Sequence, residues 1–231
     1  MHATDSRPAA AQLLSLLATL SFRLGSFQLS SGGTSDYYID CRTTTLHAEG
    51  GRLTGLAILE ALRHHGLLTG PSALQAVGGL TLGADPIVSN VATASAQAAL
   101  EATTLATARL ALAPLAAAAQ GHAAPTPLLH GFLVRKAEKT HGTGRRIEGF
   151  CQPGANVLIV DDVCTTGAST ITAIHAAREA GMRVAAVVCL VERQEANGRP
   201  AVESAAESAP FLALFTAKDI RAEHLRLNPQ K

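Results

Sequence analysis

Tryptophan is absent and aromatic residues make up only 3% of the 231 positions. Any core must therefore be filled by Ala, Leu, Val and Ile. Interleaved aromatics that would stack on bases are missing too, which argues against a nucleic-acid partner. An excess of charge of either sign is also lacking: Lys plus Arg number 19, Asp plus Glu 18, and the net charge is +1. With no global field toward nucleic acid or an anionic membrane, recognition by charge must be local. Cysteine is sparse, and Cys41, Cys151, Cys164 and Cys189 form no C-x-x-C pair. That spacing indicates neither a disulfide framework nor a structural zinc site, and a reducing cytoplasm is the expected compartment. Long apolar runs are missing as well. The stretch Leu110 to Ala119 contains Pro114 and falls far short of the ~20 residues of a membrane span. A soluble chain without a membrane partner is expected.

What is present is periodic. Leu13, Leu16, Leu17, Leu20 and Leu24 recur at helical spacing with polar residues between them, which predicts an amphipathic helix rather than a signal peptide. A β and turn segment follows, with Gly32 and Gly33 at its tip. Ala48 to His65 reads as a helix stopped by Gly66, and Val91 to Ala113 as an Ala-rich helix ended by Pro114. Between them, a short strand runs into a glycine-rich turn, Gly78 to Pro86. A strand spans Leu128 to Val134. The clearest unit is a βαβ: strand Val157 to Val160, helix Ser169 to Ala180, Gly181 as C-cap, and strand Val184 to Val191. Strands alternating with helices predict an α/β fold, a mostly parallel central sheet flanked by helices. Residues 1–45 form an N-terminal helix and small hood segment. Residues 46–231 form the core, with an Ala/Pro-rich insertion near 114–127.

The stretch "VLIVDDVCTTGAST" places two adjacent acids, Asp161 and Asp162, at the carboxyl end of a strand, where ligands of parallel α/β sheets bind. Thr165, Thr166, Gly167, Ala168 and Ser169 then lead into a helix N-terminus, whose N–H groups and dipole favour an anion. No Gly-Lys-[Ser/Thr] follows, so a nucleotide P-loop is excluded. Two carboxylates beside a phosphate cradle suit a phosphorylated sugar. They accept hydrogen bonds from its hydroxyls and stabilise positive charge developing on it. A second cluster lies between positions 135 and 146, where Arg135, Lys136, Lys139, His141, Arg145 and Arg146 face one acid, Glu138. These five Lys and Arg residues, of 19 in the chain, form a local anion trap, and Gly142 and Gly144 give it the freedom of a lid.

"VLIVDDVCTTGAST" resembles the phosphoribosyl-diphosphate signature of type I phosphoribosyltransferases. "FLVRKAEKTHGTGRRIEG" is similar to the catalytic loop of their orotate-specific branch, and "FQLSSGGTSDYYID" to its N-terminal base-contacting segment. "VGGLTLGADP" and "LVERQE" match its glycine-rich loop and the strand end after the signature. The resemblance implies a type I phosphoribosyltransferase fold and transfer of 5-phosphoribosyl from phosphoribosyl diphosphate (PRPP) to orotate, a step of UMP biosynthesis. It implies that Thr165, Thr166, Gly167, Ala168 and Ser169 hold the 5'-phosphate, that Val163 and Cys164 belong to the same PRPP site, and that Asp161 and Asp162 contact the ribose. Arg135, Lys136, Lys139 and His141 would grip the diphosphate, with Lys139 and His141 reaching into the neighbouring subunit of a homodimer. Thr165 and Arg193 would bind orotate, Arg193 through its carboxylate, and the backbone at Tyr38 and Ile39 would meet the pyrimidine edge. The implied cofactor is Mg2+, carried mainly by the diphosphate. The sequence departs from the family pattern at Ser30, Gly33 and Leu82, where relatives often carry basic residues, which shifts weight to the basic loop. Two alternatives stand beside this reading: a phosphoribosyltransferase for another nucleobase, and a non-catalytic regulator that senses PRPP.

Overall fold

Six strands form the central sheet of the computed structural model, which describes residues 8–28, 33–112, 126–136 and 146–229. They are β3 (Ala76–Leu80), β4 (His130–Val134), β5 (Ile147–Gly149), β6 (Asn156–Cys164), β7 (Arg183–Glu192) and β8 (Phe211–Thr216), in the order β5-β4-β3-β6-β7-β8. All pairings are parallel except β4 with β5. The central strands are apolar on both faces, as a sheet covered on both sides requires; every residue of β3 is buried. A separate antiparallel hairpin, β1 (Phe22–Gln28) and β2 (Thr34–Ile39), forms the hood.

Helices cover both faces. On one lie α1 (Ala9–Leu16), α3 (Ala48–His64), α4 (Asp85–Leu112) and α7 (Ala217–Leu227). Leu13, Leu17, Leu53, Ile58 and Ile87 pack there in one cluster with Leu158 and Val188. On the other face lie α5 (Ala168–Glu179) and α6 (Arg199–Ala206), where Ile174, Ala177 and Val202 pack on Val157, Ile159 and Val187. One short helix, α2 (Arg42–Thr45), joins hood to core. The scarcity of aromatics is met as expected: Phe132 is the one aromatic among the largest fully buried side chains, which are otherwise Leu and Ile.

Four sequence expectations need correcting. The leucine periodicity suggested one helix through Leu24, but the helix stops at Leu16, a single π turn spans Leu17–Ser21, and Leu24 lies in β1, 40% exposed. Its phase matched a helix only because a strand residue happened to continue the count. Gly78 and Gly79 belong to β3 rather than to a turn, and α4 begins at Asp85, not Val91. There Pro86 sits in the first turn, where its missing N–H costs nothing. The strand β6 also continues to Cys164, so the acid pair lies within its last residues rather than beyond them. The expected insertion lies almost wholly outside the described residues.

Gly79 is where this packing is tightest. A Cβ added there would meet the Val160 carbonyl oxygen and stand 2.5 Å from the Ala84 methyl. Neither can swing aside, because one is strand backbone and the other leads directly into α4. Gly79→Ala should therefore cost roughly 3 kcal/mol, the scale of an overpacked core. In a chain of this size that lowers the melting temperature by roughly 6–12 °C. Gly33→Ala is the control, since nothing lies within 4 Å of its added Cβ. Equal melting temperatures for the two variants would contradict this view of the β3–β6 contact.

Candidate active site

Strand order reverses between β3 and β6: the chain leaves β3 toward β4 and β5, then returns to β6 and runs on to β8. Loops from such neighbours part, leaving a crevice at their carboxyl ends. A cavity of about 320 Å³ occurs there. The β3 end contributes Leu80 to Gly83, β6 contributes Asp161, Asp162 and Val163, and the turn into α5 contributes Thr165 and Ser169. From the hood side come Tyr38, Ile39, Asp40 and Arg42; Lys136 and Arg193 complete the lining.

The turn before α5 is held open for a ligand. Gly167 caps the helix at φ 78°, and no side chain accepts from the first-turn N–H groups. Any other residue at this φ would be strained, and its Cβ would strike Val202. Unpaired N–H groups at a helix start, flanked by Thr and Ser hydroxyls, form an anion cradle. Thr166, Ala168 and Ser169 are exposed, whereas Thr170 turns inward and donates to Asp161 Oδ2 at 2.6 Å. Cys164 is also turned inward. Burial pushes its thiol up to about 11, so it fills space rather than offering a thiolate. Its carbonyl accepts the Arg193 backbone N–H at 2.9 Å.

The acid pair is electrostatically tense. Asp161 is 6% exposed; burial pushes its pKa up to about 7, with the Asp162 charge adding and the Thr170 hydrogen bond opposing. Burial raises Asp162 as well, against the pull of the Val163 N–H and the Arg42 guanidinium. Each carboxylate gains most from a ligand that donates hydrogen bonds or carries positive charge. Sugar hydroxyls, or a sugar carbon turning cationic, meet that need.

Arg193 also lines the cavity, its side chain 13% exposed. Its Nε donates to Tyr37 Oη at 2.9 Å and to Glu195 Oε1 at 3.0 Å, and Nη2 reaches Ser35 Oγ at 3.3 Å. Of the residues singled out from sequence, Tyr38, Ile39, Lys136, Asp161, Asp162, Val163, Thr165, Ser169 and Arg193 all line this one cavity. Arg135 does not; it faces Glu148 at 3.4 Å, and Arg146 faces Glu179 at 3.5 Å. Lys139 and His141 lie outside the described residues, as does Ser30.

Sequence reasoning missed Arg42 and Asp40, joined by two hydrogen bonds of 2.9 Å at the cavity wall. It also missed Tyr37 and Glu195, the partners of Arg193. Both pairs sat inside stretches already marked, "YYIDCR" and "LVERQE", but a contact between residues 158 apart along the chain leaves no trace in local spacing. The lining so holds three carboxylates (Asp40, Asp161, Asp162) and three cations (Arg42, Lys136, Arg193).

No protein-family profile matches the chain. The orotate phosphoribosyltransferase of Synechocystis sp. is 39% identical over 210 residues, covering 90% of this chain and 87% of that protein. The chain belongs to the orotate phosphoribosyltransferases. The Corynebacterium glutamicum member is 37% identical over 212 residues, 92% of this chain and 94% of that one. Among solved structures, the Mycobacterium tuberculosis orotate phosphoribosyltransferase superposes with a TM-score of 0.66 at 31% identity, over 92% of this chain and 99% of that one. That mycobacterial protein has also been solved in complex with PRPP (TM-score 0.64, 29% identity, 93% of this chain and 99% of that one). The fold is thus the type I phosphoribosyltransferase fold, and the chain is an enzyme of pentosyl transfer.

Proposed function

We propose that the protein transfers the 5-phosphoribosyl group of PRPP to N1 of orotate in this cavity, giving orotidine 5'-monophosphate and pyrophosphate. The observation that supports the reading most is that Arg193, the acid pair Asp161 and Asp162, and Thr165 and Ser169 of the α5 cradle line one cavity. The cradle of Thr165 to Ser169 takes the 5'-phosphate. Asp161 and Asp162 accept from the ribose 2'- and 3'-hydroxyls and face C1 as it becomes oxocarbenium-like. Arg193 meets the orotate carboxylate as a planar fork meets a planar anion. Thr165 and the backbone at Tyr38 and Ile39 hold the ring so that N1 faces C1. As the C1–O bond breaks, its electron pair leaves with pyrophosphate, and N1 bonds to C1 as its proton passes to the departing pyrophosphate.

The lining is balanced in charge, so a diphosphate needs cations from elsewhere. No group of three or more His, Cys, Asp or Glu residues capable of holding a metal occurs among the described residues. Mg2+ suits this donor set, because it keeps several waters and binds through one or two carboxylates plus substrate phosphates. Asp162, which lines the cavity, would be a carboxylate to hold such an ion or its water. The chemistry such an ion would supply, carried mainly by the diphosphate, is positive charge toward the leaving group. Lys136 and, from 137–145, Lys139 and His141 would supply the remaining charge. Lys139 and His141 come from the partner of a homodimer. Four unpaired cysteines suit a reducing cytoplasm.

A panel of bases tests the assignment. With PRPP and Mg2+, orotate should be consumed while uracil and adenine, which lack a carboxylate for Arg193, are left. Use of adenine in place of orotate would move the protein to another base, and PRPP binding without turnover would make it a sensor.

A further inference from the structure

We propose that Tyr37 and Glu195 are positioning residues: they lock the hood to the sheet and hold the Arg193 guanidinium where it selects a carboxylated base. The inference rests on the orotate reading and adds to it the two groups that aim the selecting residue.

Arg193 belongs to the sheet end after β7, whereas Tyr38 and Ile39 belong to the hood. A base held between them is gripped by two separate units, so its fit depends on how those units are joined. Tyr37 makes that joint. Its hydroxyl donates to the Glu195 carboxylate and accepts from Arg193 Nε. Glu195 accepts from Arg193 Nε as well, at 3.0 Å, which closes a triangle of three side chains. The Arg193 guanidinium carbon lies 4.7 Å from the Tyr37 ring centroid, within cation–π range.

The triangle is anchored on the hood side. Tyr37 is 8% exposed, and its ring stacks on Phe22 at 5.5 Å and 19°. Phe22 is 2% exposed and packs against His224 of α7, whose Nδ1 lies 2.8 Å from the Ala18 carbonyl. On the core side, the Arg193 backbone is tied to Cys164, the last residue of the signature strand. With Nε and one Nη2 hydrogen engaged, Nη1 has no acceptor among the described residues. It remains for a ligand. Electrostatics follow the same pattern. Burial and then the Glu195 hydrogen bond push Tyr37 up to about 12, so the hydroxyl keeps its proton for Glu195. Burial works to raise Glu195, but its bonds to Tyr37 and Arg193 outweigh it and leave it lowered.

The test is steady-state kinetics with each substrate varied in turn, for wild type, Tyr37→Phe, Glu195→Ala and Glu195→Gln. Tyr37→Phe keeps the ring and removes the hydroxyl alone. Glu195, half exposed, tolerates change without risk to folding. Tyr37→Phe and Glu195→Ala should each raise the orotate KM about ten-fold, the loss of one hydrogen bond within a charged group. The PRPP KM and the melting temperature should hold. Glu195→Gln, which keeps an acceptor for both donors, should recover most of the loss. Equal rises in both KM values, or an unchanged orotate KM in Glu195→Ala, would overturn the proposal while leaving the orotate reading intact. Wild-type protein that ignores orotate would overturn that reading, and this one with it.

Discussion

Lys139→Ala should lower kcat by roughly 10²–10³-fold while the protein folds and binds PRPP, the scale seen when one preorganised charge at a transition state is removed. The expectation follows from the charge balance of the cavity. Three carboxylates offset three cations in its lining, and PRPP brings several negative charges to it. Arg42 is already held by Asp40 through both oxygens, and the proposal assigns Arg193 to the base. Arg135 and Arg146 face Glu148 and Glu179. Of the basic cluster's described members, only Lys136 lines the cavity, and the proposal assigns the remaining charge to 137–145. Lys139 is its one lysine. If that side chain crosses between subunits, mixing Lys139→Ala with Arg193→Ala protein should restore activity. A heterodimer then has one doubly impaired site and one intact site, and random pairing gives about a quarter of wild-type turnover. No recovery on mixing would place Lys139 in its own subunit's site, and wild-type kcat in Lys139→Ala would remove it from the mechanism.

Asp161→Asn should abolish most turnover and, at the same time, stabilise the fold above neutral pH. Its carboxyl is 6% exposed and pushed up to about 7 from 3.8, chiefly by burial. A raised acid favours folding fully below the unfolded pKa, and that contribution is lost as pH rises through about 7. Above that, the folded protein carries an ionised carboxylate that the unfolded chain would hydrate. At ~1.4 kcal/mol per pKa unit, that rise sets a ceiling of about 4 kcal/mol. Asn cannot ionise and retains an acceptor for Thr170, so a gain of ~2 kcal/mol at pH 8, several degrees in melting temperature, is expected. At pH 4 the two proteins should melt together. Lower stability of the variant at pH 8 would mean instead that Asp161 stabilises the fold as a carboxylate. Such a stability–activity opposition is expected where a site stores an uncompensated charge for its substrate.

Much of this arrangement was legible in the chain because its signals are local. The βαβ around "VLIVDDVCTTGAST" reads directly, since an apolar strand run, two acids and a Gly-capped helix start follow one another closely. Gly181 ends α5 at φ 77° as its position suggested. The sheet class followed from alternation, and the acid pair, the turn and Arg193 do converge on one cavity. What stayed hidden depends on contacts between distant segments. The Gly78–Gly79 pair reads as a turn until Phe132 and Val160 are seen pressing on the two residues. Leu24 extends a helical count although the backbone has already changed to a strand. The Tyr37–Glu195–Arg193 triangle and the Asp40–Arg42 pair emerge only when the hood is folded against the sheet ends. Periodicity reports the face a residue presents to its own element, not the partner that arrives from elsewhere.

The most direct measurement of the central claim is the conversion of orotate, followed by its absorbance, with PRPP and Mg2+ each omitted in turn. Loss of orotate only in the complete mixture, matched mole for mole by orotidine 5'-monophosphate and pyrophosphate, is the expected result. Orotate left untouched in the complete mixture, by protein that still binds PRPP, would contradict the claim that Arg193 and the α5 cradle serve one transfer.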